Sequence, residues 1–121
     1  GPIGNTAAEA IRLFEQQQAQ EGHPLTVAHY DMRFLKPLDE NILYEVGRHF
    51  SRIITIEDGV IRGGLGSAVL EYMSDHGFFP KVTRIGLPDY FVEHGTVEQL
   101  RQIVGIDRDA IVSQLRSISQ K

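Results

Sequence analysis

The chain of 121 residues contains no cysteine, which excludes disulfides, thiolate zinc sites and thiol catalysis and suits a cytosolic, cytoplasmic protein. No apolar run approaches the ~20 residues that a membrane helix requires, and no basic, apolar, small-residue succession marks a signal peptide. Positive charge is not in excess. The formal net charge of -4 leaves no overall electrostatic footprint for nucleic acid or an anionic membrane, so neither is an expected partner. Internal repeats and low-complexity segments are also missing. His23, His29, His49, His76 and His94 show no His-Glu-x-x-His or other paired-ligand spacing, and no Gly-x-Ser-x-Gly elbow surrounds Ser51, Ser67 or Ser74. No catalytic residue, metal ligand or cofactor-binding residue of the chain itself is expected.

What is present is a strand-like run over residues 52–57, followed by Asp58, Gly59 and the segment Arg62-Gly63-Gly64-Leu65-Gly66-Ser67. Val69, Tyr72 and Met73 then recur at helical spacing. Strand, glycine loop and helix follow in that order. Such a loop can seat a helix closely on a sheet or cradle an anion, and both readings are open. It lacks the Gly-Lys-Ser/Thr ending of a P-loop and the dinucleotide fingerprint spacing. Glu57 and Asp58 just before it would repel a phosphate unless a cation or Arg62 intervened. An anion site here would use Arg33, Arg62, Gly63, Gly64, Gly66 and Ser67; the alternative for the arginines is an Asp-Arg ion pair that fixes the crossover.

The length fits one domain over residues 1–121, large enough to bury roughly two-thirds of the surface its unfolded form exposes. Asn5 or Thr6 is expected to cap a helix carrying Ala7, Ala10, Ile11 and Phe14, which runs out near Gly22. Residues 25–30 suit a strand, and a helix from about Asp39 carries Ile42, Leu43 and Val46. After the glycine loop and its helix, Gly77 makes a stop, and a strand over residues 81–85 follows Pro80. Thr96 and Gln99 match a capping box that opens a short helix, Gly105 ends it, and Asp107 caps a last helix with Ile111, Leu115 and Ile118 as its stripe. Three strands joined by helices imply an α/β fold, a three-layer αβα sandwich on a small, mainly parallel sheet. The opening Gly1-Pro2-Ile3-Gly4-Asn5-Thr6 has no methionine and resembles a turn that follows a strand. The chain therefore reads as cut from something longer, lacking its first strand.

Three segments carry a resemblance to a known family. Asp31-Met32-Arg33-Phe34-Leu35-Lys36-Pro37-Leu38-Asp39 is one, and Thr55-Ile56-Glu57-Asp58 with Gly63-Gly64-Leu65-Gly66-Ser67-Ala68 is the second. The most discriminating is Ile85-Gly86-Leu87-Pro88-Asp89-Tyr90-Phe91-Val92-Glu93-His94-Gly95. Together they resemble the C-terminal domain of 1-deoxy-D-xylulose-5-phosphate synthases, in the transketolase superfamily. The first two are also similar to the C-terminal domains of pyruvate dehydrogenase beta subunits, which stay an alternative beside a stand-alone small-anion-binding α/β module.

The resemblance implies a parent enzyme that joins pyruvate to D-glyceraldehyde 3-phosphate with loss of CO2, for non-mevalonate isoprenoid synthesis. Thiamine diphosphate and Mg2+ serve the parent, between pyrophosphate- and pyrimidine-binding domains that precede this one. This chain is then expected to be a structural and assembly domain that packs on those domains and supports a homodimer. Leu87, Tyr90 and Phe91 are the expected anchors on that interface. Asp89, Glu93 and His94 share one loop, where an acid-base pair or two-ligand metal site stands against the reading as a hydrogen-bonded turn that holds the helix start.

Overall fold

The computed structural model describes residues 2–30, 32, 39–58, 64–87 and 97–120. Its elements are α1 (Pro2–Gln20), α2 (Glu40–His49), β1 (Arg52–Asp58), α3 (Leu65–Asp75), β2 (Lys81–Leu87) and α4 (Val97–Ser119). The fold is α/β, as expected, with four helices and a two-stranded parallel sheet among the described residues. The chain forms two compact units, one of Gly1–Tyr30 with Tyr90–Lys121 and one of Asp31–Asp89.

In the Asp31–Asp89 unit, β1 and β2 pair in parallel, in a register that sets Arg52 beside Lys81, Thr55 beside Arg84 and Glu57 beside Gly86. Parallel strands need a crossover, and α3 supplies it. Leu43 and Val46 of α2 and Val69, Tyr72 and Met73 of α3 form the buried cluster, with Ile53 of β1 against it. Those three α3 positions are the ones the helical spacing singles out. Asp39 caps α2 through its side chain, which accepts from the N–H groups of Asn41 and Ile42 at 3.1 and 3.2 Å. Gly77 ends α3 with φ of +74°, a conformation open to glycine at little steric cost. There the Phe78 N–H donates to the Met73 carbonyl and the Gly77 N–H to that of Ser74, so these two carbonyls of the last turn are satisfied. This turn aims Phe78 at α2: a Cβ placed on Gly47 would lie 2.5 Å from the Phe78 ring. Tyr44 meets the same ring edge-on, with centroids 5.5 Å apart.

In the other unit, Ala7, Ala10 and Phe14 of α1 and Ile111, Val112, Leu115 and Ile118 of α4 are buried, and the two helices pack together. The alanines, at 2% and 0% exposure, allow close approach, and Phe14 fills the space beyond them. Charged groups tie the helix pair at its surface. Arg108 pairs with Glu9 at 3.2 Å, and Arg116 donates to both oxygens of Glu21 at 2.6 and 2.7 Å. The hydrogen bonds from Arg116 hold the Glu21 carboxyl below its ordinary range, against a smaller opposing effect of desolvation. A depressed carboxyl pKa stabilises the fold above the unfolded-state value, and this contribution is lost as pH falls through the folded-state value. Carbon-detected NMR should find the Glu21 midpoint below that of an ordinary glutamate, and Arg116→Ala should move it upward; an unmoved midpoint would refute the pairing in solution.

Three expected features differ. Residues 23–30 form no strand: Leu25 and Tyr30 are each 44% exposed, and the Val27 N–H donates to the Glu15 carboxylate at 3.2 Å instead of to a ladder. A lone β-branched run has no partner for its backbone, and here a helix side chain supplies one. Gly105 does not end a helix, because α4 runs through it as one element. A glycine inside a helix costs only about 1 kcal/mol relative to alanine, less than the burial of the stripe that follows returns. Helix α1 starts at Pro2 and not at an Asn5 or Thr6 cap, in keeping with the fixed φ of proline in a first helical turn. The expected Thr96 cap lies outside the described residues.

Candidate functional site

The glycine-loop helix stands at the carboxyl end of a parallel strand, the place where α/β sheets usually bind ligands. Two periodicities meet there. Alternation along β1 places Ile53, Thr55 and Glu57 on one face, and the register adds Arg84 beside Thr55. Residues Gly64, Gly66 and Ser67 begin α3 across from them.

The Glu57 carboxylate lies over the start of α3. Its Oε2 accepts from the Leu65 N–H at 2.5 Å, eight residues along the chain. The first N–H groups of a helix have no internal acceptor and carry its positive pole, so an anion is stabilised there. This protein supplies the anion itself. Gly64, the N-cap, makes no side-chain cap, and a Cβ on it would overlap the Glu57 carboxylate. At Gly66 a Cβ would come within 2.6 Å of Arg84 Cγ and 3.0 Å of Thr55 Oγ1. Both glycines therefore serve close approach between helix and sheet, with φ values that need no left-handed region. Arg84 crosses Gly66 and its Nη1 reaches Ser67 Oγ at 3.5 Å, a weak bond on an exposed side chain. Thr55, 5% exposed, keeps its Oγ1 buried, and neither it nor Glu57 Oε1 has a hydrogen-bond partner among the described residues.

Of the residues assigned to an anion site by sequence, Gly64, Gly66 and Ser67 stand together at this helix start, while Arg33, Arg62 and Gly63 lie outside the described residues. Leu87 is 3% exposed at the end of β2, and Tyr90, Phe91, Asp89, Glu93 and His94 also lie outside them. Sequence reasoning missed Arg84 and the capping role of Glu57. Both depend on strand register and on the start of α3 lying against β1, neither of which has a local signature. Among the described residues, no three His, Asp or Glu side chains come together to hold a metal ion, and no helix is long and apolar enough to cross a membrane.

The family described as "Transketolase, C-terminal domain" matches residues 3–111. The chain is 56% identical over 115 residues to the 1-deoxy-D-xylulose-5-phosphate synthase of Bacteroides thetaiotaomicron, covering 95% of this chain and 17% of that protein. It is 55% identical over 111 residues to the synthase of Bacteroides fragilis, covering 92% and 16%. To that of Cytophaga hutchinsonii it is 44% identical over 119 residues, covering 98% and 18%. The chain thus spans about one-sixth of the length of these curated relatives.

Proposed function

The chain belongs to the transketolase C-terminal domain family, and from that premise we propose that it is the C-terminal structural domain of a 1-deoxy-D-xylulose-5-phosphate synthase. The parent polypeptide joins pyruvate to D-glyceraldehyde 3-phosphate with release of CO2, and thiamine diphosphate with Mg2+ supplies the chemistry. The observation that carries this reading is identity of 44–56% to synthases over 92–98% of the chain.

The described residues do not fit the cofactor. At the carboxyl end of β1 the start of α3 has its Leu65 amide engaged by Glu57, and a second anion beside that carboxylate would be repelled. No acidic cluster stands ready for Mg2+ among these residues. On this reading the domain contributes by packing and assembly, supporting a cytoplasmic homodimer whose cofactor is held by the preceding domains. The test is synthase turnover, read as CO2 release from pyruvate with glyceraldehyde 3-phosphate, in the parent with and without residues 1–121. Turnover lost on deletion, and missing from the domain alone, is expected; turnover kept after deletion would overturn the proposed role.

A further inference from the structure

The α3–β2 turn leaves an aromatic side chain in water. Phe78 turns inward onto Gly47 and Tyr44, and its neighbour Phe79 is 87% exposed, the most exposed of the large apolar residues described. Tyr44 itself is 46% exposed, and the Arg48 guanidinium lies 5.6 Å from the centre of its ring. The Lys81 N–H donates to the Ser51 carbonyl at 2.8 Å, which brings the starts of β2 and β1 side by side. Lys81 and Arg52 are register partners there, and both are exposed. One edge of this unit thus gathers Arg48, His49, Arg52 and Lys81 around aromatic surface. Glu45, which pairs with Arg48 and His49, and Asp75 at the end of α3 are the acids nearby in the chain. Three cations, Arg48, Arg52 and Lys81, stand against these two carboxylates, a formal local excess of one positive charge on a chain whose net charge is -4.

We propose that this amino-terminal edge of the β1–β2 sheet, centred on Phe79, is where the domain docks on the preceding part of its own polypeptide, against a segment that sets carboxylates around an apolar pocket. The inference rests on the reading of the chain as one domain of a longer synthase. Two observations select the occupant. The matched relatives extend over about five times as much chain outside the matched part as within it. The formal charge of the edge is opposite in sign to that of the chain as a whole, so an acidic surface is favoured there over a second copy of the same edge. An exposed aromatic beside an arginine and a tyrosine has the composition of a binding anchor.

The experiment is hydroxyl-radical footprinting of Phe79 and Tyr44 in the intact parent, native and in urea. Phe79 should be modified severalfold more slowly in the native parent, and Arg48→Glu with Lys81→Glu should restore much of the rate. Native and unfolded rates that agree would overturn the proposal. Protection that vanishes on dilution to the monomer would also overturn it, by assigning the face to a second copy. Protection indifferent to the double charge reversal would rule out an acidic counter-surface. Turnover after domain deletion is a separate readout: its persistence removes the proposed role in synthase activity, while the Phe79 footprint still reports whether this edge is covered.

Discussion

Phe14→Ala is expected to lower the unfolding free energy by about 3 to 5 kcal/mol. Phe14 is 2% exposed and is among the largest fully buried side chains described. Its neighbours on the α1 stripe are Ala7 and Ala10, whose methyl groups cannot extend into the vacated space. The cavity term therefore adds to the lost transfer free energy instead of being relieved by collapse. Phe14→Leu, which keeps most of the volume, should cost clearly less. Urea titration of the chain reads both as a shift of midpoint at unchanged slope. A loss as small as that of a surface substitution, about 0.5 kcal/mol, would mean that the α1 stripe does not hold the helix pair.

Glu57→Ala should follow at about 1.5 to 3 kcal/mol, the range for a hydrogen bond to a charged group. The substitution removes the acceptor on the Leu65 amide and the negative charge at the positive pole of α3. Glu57→Gln keeps an acceptor without the charge and should fall between the two. Gly64→Ala acts on the same bond from the other side, since its methyl group needs the place of the carboxylate. The double variant should then cost less than the sum of the two single ones, because the second change breaks a contact already lost. Additive losses in urea titrations would show that the two residues act independently.

The helices were legible in the sequence because their burial repeats within a few residues. Leu43 with Val46, Val69 with Tyr72 and Met73, and Ile111 with Leu115 and Ile118 lie where the 3.6-residue period places them. Stops set by backbone stereochemistry were equally readable: Gly22 and Gly77 carry positive φ at the ends of α1 and α3. Failures came where a local preference met a tertiary partner. Residues 25–30 have strand composition, but the Glu15 carboxylate takes the Val27 amide. Gly105 has the composition of a stop, yet a Cβ there would find nothing nearer than 3.8 Å, so no contact requires glycine and the helix continues. The site was half visible. Its glycines and the proximity of Glu57 could be read from spacing, and the repulsion that Glu57 would exert on a phosphate followed from charge. That Glu57 would bend back onto the Leu65 amide, and that Arg84 would lie across Gly66, depends on contacts eight and eighteen residues apart in sequence.

Gly47 and Phe78 have a consequence for how this unit can change over generations. The Phe78 ring occupies the volume of a side chain at position 47, so the two positions share one allotment of space. Neither can vary freely alone: enlarging residue 47 first drives atoms into the ring, and shrinking residue 78 first opens a hole beside Tyr44. Passage to a form with alanine or serine at 47 runs through a reduced side chain at 78, and the order of the two steps sets the depth of the valley between them. Descendants of this sequence should therefore exchange the pair jointly, although one residue lies in α2 and the other in the turn after α3, with a strand and a helix between them.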